Sequence, residues 1–123
     1  MNLWLLIAAV NGALAVAAGA FGAHGLQGRL DDHAMEVFQT AARYHMYHAL
    51  AMGLAAMAMR GAAANAAGAA AGLFLAGIVL FCGSLYILAF TGTRALGIVT
   101  PFGGLAFIVG WISLAYAATK ISS

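Results

Sequence analysis

The sequence predicts an all-α integral membrane protein, a four-helix bundle with short loops. Of its 123 residues, 65% are hydrophobic and 7% are charged, and the mean hydropathy is +1.00. An average soluble domain has about a quarter of its residues charged. The apolar residues fall into four stretches, and a helix needs about 20 such residues to cross the hydrocarbon core. The length leaves room for a single domain, residues 1–123, with three short connections.

Charge and cysteine content limit the partners. Five Lys and Arg residues are scattered along the chain, so no basic patch suited to nucleic acid is present in the sequence. A single cysteine, Cys82, cannot form an intrachain disulfide. We therefore expect the lipid bilayer and other membrane proteins as partners, including further copies of the chain, and no nucleic acid.

The first predicted span covers residues 3–23. We interpret it as a permanent helix, since the positively charged leader of a signal peptide is missing apart from the amino terminus. Glycines at every third position near its end form a slanted groove that admits another backbone, and we predict that they pack against a helix: Gly19, Gly22 and Gly25.

The second helix begins near Asp31 or Asp32, where a carboxylate can cap it. Its pattern continues for about 28 residues, about 42 Å, which exceeds the hydrocarbon core. We therefore expect residues 41–59 to cross the membrane and the first third to lie in the interface. At 100° per residue, one side of this helix is a polar stripe, which Arg94 of the third connection joins at the same membrane face: Asp32, Glu36, Gln39 and Arg43.

The third and fourth spans are predicted over residues 66–90 and 101–119. Small residues in both suit close helix packing: Gly68, Gly72, Gly103 and Gly104. Thr100 followed by Pro101 predicts the start of the fourth helix, with Thr100 as N-cap and Pro101 at the first helical position.

Four polar residues in or beside the spans form the candidate site, a predicted buried polar cluster: Asn11, His24, His45 and His48. The helical angles turn His45 and His48 away from the polar stripe and toward the other helices. Imidazoles in this setting have three interpretations: neutral side chains hydrogen-bonded within the protein, a proton-handling group, or ligands for zinc, copper or haem. Candidate metal ligands are His24, His45 and His48, but the carboxylates of the second helix lie on its other face. We expect no cofactor and no catalytic residue.

Four separated motifs carry a resemblance to a known family: GAFGAHGL at 19–26, RYHMYHAL at 43–50, CGSLYILAFTG at 82–92 and LGIVTPFGGLAFIVGW at 96–111. The chain resembles the YgdD-like, or transmembrane protein 256, family of small four-helix membrane proteins, formerly a family of unknown function. The resemblance implies a multi-pass protein of the bacterial inner membrane or a mitochondrial membrane, and it brings no established activity, cofactor or catalytic residue.

Three functions are open at this point. The first is a non-enzymatic helix-packing protein that forms oligomers or associates with a larger membrane complex. The second is a small transporter or channel for a solute or lipid. The third is a metal- or haem-binding membrane protein that uses the histidines. The orientation in the membrane stays open as well, since three basic residues on one face against two on the other do not decide it.

Overall fold

A computed structural model of the chain describes residues 1–121 and contains four long helices. The helices are α1 (Leu3–Gly25), α2 (Asp32–Ala58), α3 (Gly61–Thr91) and α4 (Thr100–Ala118). The all-α prediction is confirmed. Helices α1 and α3 each contain one turn of π-helix, at Ala17–Gly22 and Ile78–Cys82. A π-helical turn inserts one residue and so changes the direction in which all following side chains point.

The start of α2 follows from its capping residue. Asp31 is the N-cap, and its Oδ1 accepts a hydrogen bond of 2.7 Å from the backbone N–H of Ala34. This bond satisfies one of the free amide groups of the first turn.

The start of α4 differs from the prediction. Val99 is the N-cap and Pro101 lies in the first turn, so Thr100 is already inside the helix and its predicted capping role is wrong. Its Oγ1 donates instead to the carbonyl of Leu96, at 3.2 Å. Leu96 belongs to a short 3₁₀-helix, Arg94–Ile98, that continues into α4 and leaves its first turn less dependent on a side-chain cap.

Three stretches are long and apolar enough to cross a membrane: Leu3–Gly25, Gly61–Thr91 and Arg94–Ala118. Helix α2 has 27 residues but is absent from this set, although residues 41–59 were predicted as a span. Its length would suffice. The difference lies in its composition, since Arg43, His45 and His48 all fall within the predicted span.

Helix α2 nevertheless lies at the centre of the packing. It contacts α1 on one side and α3 on the other, whereas α4 packs chiefly on α3. The inner face of α2 is lined by small residues and one methionine, and Ala41, Met52 and Ala55 are completely buried. The most polar helix is therefore surrounded by the three apolar ones.

Glycines bring α3 and α4 close together. A Cβ added at Gly103 of α4 would collide with the backbone of Phe81 on α3. Phe107 of α4 similarly covers Gly77, and Phe74 of α3 covers Gly110. Gly77 and Gly110 were not among the predicted packing residues.

The predicted packing glycines lie in several places. On α1, a Cβ at Gly19 would meet Ala42 and a Cβ at Gly22 would meet Phe38, both on α2. The other predicted glycines also face a side chain: Gly68 faces Met59, Gly72 faces Trp4 and Gly104 faces Phe81. At Gly25 a Cβ would meet nothing within 4 Å. The slanted groove of α1 therefore contacts α2 through Gly19 and Gly22 and ends before Gly25.

We expect Gly103→Ala to destabilise the protein by about 1–3 kcal/mol, because the added methyl group requires α3 and α4 to move apart. The measurement is the unfolding free energy in mild detergent, by titration with a denaturing detergent. Gly12→Ala is the matched control, since a Cβ there meets nothing within 4 Å. The control should be neutral or stabilising by up to about 1 kcal/mol. Equal stability of the two variants would contradict close glycine packing between α3 and α4.

Candidate functional site

The candidate site is the inner face of α2, where two histidines are buried one turn apart. His45 is 6% exposed and His48 is 5% exposed. Each histidine contacts a different set of helices. The inward direction predicted from the helical angles is the one that the structure shows.

His45 connects three helices. Its Nε2 lies 2.9 Å from Oδ1 of Asn11 on α1, and its Nδ1 lies 3.1 Å from the hydroxyl of Tyr86 on α3. We call Asn11, His45 and Tyr86 the His45 triad. Asn11 thereby finds the interhelical partner that an amide in an apolar helix requires.

The hydrogen-bond chemistry of the His45 triad defines a single neutral tautomer. Nδ2 of Asn11 donates to the carbonyl of Ile7 at 2.9 Å, which fixes the amide so that Oδ1 faces His45. Because Oδ1 can only accept, Nε2 of His45 carries the proton. Nδ1 then has a free lone pair, which accepts a hydrogen bond from the hydroxyl of Tyr86.

His48 connects α2 to α4. Its Nδ1 lies 2.8 Å from the carbonyl oxygen of Tyr44, and Nε1 of Trp111 donates to its Nε2 at 3.1 Å. We call Tyr44, His48 and Trp111 the His48 triad. The carbonyl can only accept and the indole can only donate, so neutral His48 carries its proton on Nδ1, the opposite of His45. The imidazole also stacks on the ring of Phe107, with centroids 3.5 Å apart and planes at 9°.

Both imidazoles are therefore fully engaged within the chain. A metal ion binds the lone pair of a neutral imidazole nitrogen. The only such lone pair on His45 accepts from Tyr86, and the only one on His48 accepts from Trp111. A metal or haem iron would have to displace one of these donors first. Within residues 1–121, no group of three or more His, Cys, Asp or Glu side chains is placed to hold a metal ion.

His24 lies apart from the other two histidines. The prediction that it is buried with them is wrong, since His24 is exposed in the last turn of α1. Gly22 faces Phe38 of α2. His24 follows two positions later and therefore points about 200° away around the helix, away from α2.

The polar stripe of α2 lies on the outside. Asp32, Glu36, Gln39 and Arg43 are all exposed. Arg43 donates to Oγ1 of Thr40 at 3.4 Å and lines a pocket between α1 and α2. Arg94 is also exposed and lines a different pocket, at the first and third connections.

Two partners of the histidines were not predicted from the sequence. Trp111 lies at the end of the 96–111 motif and donates the hydrogen bond to His48. Tyr86 lies with Ser84 in the predicted third span, and its hydroxyl is 3.1 Å from Nδ1 of His45. The Ser84 hydroxyl lies 2.6 Å from that of Thr100 at the start of α4. The available signal was the presence of hydrogen-bonding side chains inside apolar helices.

A groove of about 460 Å³ opens beside the His45 triad. Its walls are mostly apolar side chains of α3 and the third connection, such as Ile78, Leu96 and Val99. Cys82 also lines the groove but is completely buried, which suits a small core residue. Asn11, His45 and Tyr86 supply polar groups that are bonded to one another. Ser84 supplies a further hydroxyl, which is bonded to Thr100.

Comparison with known proteins identifies the family. The model of the family described as "Protein of unknown function (DUF423)" matches residues 18–104. The chain belongs to the DUF423 family. The UPF0382 membrane protein YwdK of Bacillus subtilis (strain 168) is 46% identical over 121 residues, which cover 98% of each chain. A UPF0382 membrane protein of Staphylococcus aureus (strain bovine RF122 / ET3-1) is 45% identical over 122 residues, 99% of each chain.

These relatives are named as membrane proteins, which agrees with the three stretches able to cross a membrane. The chain is therefore a membrane protein of a family of unknown function. The relatives named above do not carry the YgdD-like or transmembrane protein 256 label, and that finer name stays a prediction. No solved structure matches the chain.

We expect Asn11 and His45 to be coupled energetically, because they share a hydrogen bond between α1 and α2. In a double-mutant cycle of Asn11→Ala and His45→Ala, the interaction energy should be about 0.6–1.7 kcal/mol, the range for interhelical hydrogen bonds in membranes. The measurement is the unfolding free energy of the wild type, both single variants and the double variant. The control cycle pairs Asn11→Ala with Trp111→Phe, which belong to different triads and should be additive. Additivity in the first cycle would contradict the bond.

Proposed function

We propose that the chain crosses the bacterial inner membrane as a four-helix bundle and works without catalysis, as a helix-packing protein that self-associates or joins a larger membrane complex. The membrane-protein relatives and the three apolar helices support the membrane part of this proposal. The packing of α2 between α1 and α3 supports a fourth crossing, since its buried polar groups face helices and not lipid. The exposed start of α2, with Asp32 and Glu36, suits the interface.

The state of the buried polar groups supports a role without catalysis. Across residues 1–121, every buried side-chain nitrogen or oxygen has a hydrogen-bond partner within the chain. A catalytic base or nucleophile needs a free lone pair directed at a substrate. The lone pairs of His45 and His48 are instead directed at Tyr86 and Trp111.

The outer face of α1 is where we propose that the chain associates with another helix. Only 11% of its apolar stretch is buried inside the chain, compared with 39% for α3. An alanine recurs at every fourth position on this exposed face, at Ala9, Ala13 and Ala17. The neighbouring side chains of Val10 and Leu14 are about half exposed. Small residues at this spacing let a second helix approach closely in a membrane, where packing drives association.

We expect Ala13→Leu to weaken association through α1 by about 1 kcal/mol or more, about fivefold, because the larger side chain separates the helix backbones. The measurement is energy transfer between labelled copies in lipid vesicles over a range of protein-to-lipid ratios. Ala115→Leu is the matched control, since Ala115 is exposed on α4 and should leave association unchanged.

Association with a different protein requires a second readout. If the partner is another membrane protein, cross-linking in the native membrane should capture it with the wild type and with Ala115→Leu, and less with Ala13→Leu. A wild-type protein that stays monomeric in mild detergent and in vesicles, and that cross-links to no membrane protein, would contradict the proposal.

A further inference from the structure

A pocket of about 390 Å³ lies at the end of the molecule where the first and third connections meet. Arg29 of the first connection and Arg94 of the third both line it, together with His33 in the first turn of α2. These side chains are exposed. Two guanidinium groups that are distant in sequence are thus brought to one concave surface.

The pocket has a single acidic side chain, Asp31, among the residues that line it. Its carboxylate has a structural role, since Oδ1 accepts the N–H of Ala34 and caps α2. One carboxylate against two guanidinium groups leaves the pocket with a net positive charge. A guanidinium group matches the geometry of phosphate oxygens through two parallel N–H donors.

The remaining wall of the pocket is apolar. Val37 of α2 and Leu88 of α3 line it, on the side where these helices continue into the membrane-embedded part. Arg29 follows the end of α1 and Arg94 follows the end of α3, and both of these helices are long enough to cross a membrane. In the membrane crossing proposed above, the arginines lie at the depth of lipid headgroups, with apolar side chains below them.

We propose that this headgroup pocket, formed by Arg29, His33, Arg94, Val37 and Leu88, binds the phosphate group of an anionic phospholipid. The guanidinium groups contact the phosphate oxygens, and Val37 and Leu88 contact the glycerol and upper acyl carbons. The inference rests on the proposed membrane crossing but not on self-association through α1, since residues of the two connections, α2 and α3 form the pocket. Zwitterionic lipids should bind less well because their cationic group meets the two arginines.

The test uses the full chain, purified in a neutral detergent, and two lipids with the same acyl chains, phosphatidylglycerol and phosphatidylcholine. Native mass spectrometry gives the dissociation constant for each lipid. The wild type should prefer phosphatidylglycerol. Arg29→Gln and Arg94→Gln should each weaken its binding about fivefold, since a basic side chain at an anionic surface contributes about 1 kcal/mol. The affinity of the double variant for phosphatidylglycerol should be about 25-fold lower if the two free-energy effects add.

Arg60→Gln is the matched control for total charge. Arg60 is exposed between α2 and α3, at the other end of these helices, and does not line the pocket. Its substitution should leave the binding of phosphatidylglycerol unchanged. A loss for Arg60→Gln equal to that for Arg29→Gln would overturn the proposal, because it would show a general effect of charge.

Asp31→Asn should change the affinity for phosphatidylglycerol in the opposite direction. Asn caps a helix about as well as Asp, so α2 should keep its stability while the pocket loses its carboxylate. Phosphatidylglycerol should then bind more tightly. Unchanged or weaker binding, with unchanged thermal stability, would count against a phosphate at this position.

Inorganic phosphate distinguishes a lipid from a free phosphate as the occupant. Millimolar inorganic phosphate should leave the binding of phosphatidylglycerol unchanged if the apolar wall contributes to affinity. Displacement of the lipid at these concentrations would overturn the lipid proposal and identify free phosphate as the ligand. Thermal stability of each arginine variant, measured without lipid, should match the wild type because both side chains are exposed.

Discussion

The hydrogen bonds of His45 and His48 hold the most polar helix of the chain between three apolar ones. An unpaired polar group in hydrocarbon costs several kcal/mol, so α2 would be unstable among these helices without partners for its imidazoles. His45 has its partners on α1 and α3, and His48 has its partner on α4. Two side chains one turn apart therefore connect α2 to every other helix. The position of α2 depends on these contacts together with the buried apolar side chains of its inner face, such as Phe38 and Met52.

A different kind of contact holds α4 to α3. Gly103 admits the backbone of Phe81, and Phe107 covers Gly77, so this pair depends on close steric packing. The buried polar side chains thus serve structure through their hydrogen bonds around α2, and glycines do so between α3 and α4. Our functional proposals concern two exposed surfaces, the small-residue face of α1 and the arginine-lined end of the molecule.

Much of the architecture could be predicted because single-helix properties determine it. Apolar runs define α1, α3 and α4, and the angular pattern of α2 places His45 inward and Glu36 outward. The partners could not be predicted, because Asn11 and Tyr86 meet His45 only at one relative height and rotation of three helices. The direction of His24 could have been predicted from the helix period. Gly22 faces Phe38 of α2, and His24, two positions later, lies about 200° away around the helix and is exposed.

The most direct test is the protonation pattern of the two buried imidazoles, measured by nitrogen-15 solid-state NMR on histidine-labelled protein in lipid bilayers near neutral pH. Variants His24→Gln and His33→Gln remove the signals of the exposed histidines. The remaining signals should show two neutral imidazoles of opposite tautomers, His45 protonated on Nε2 and His48 on Nδ1, and added zinc should leave both unchanged. Identical tautomers, or a shift of either lone-pair nitrogen on zinc addition, would contradict the central role of these hydrogen bonds.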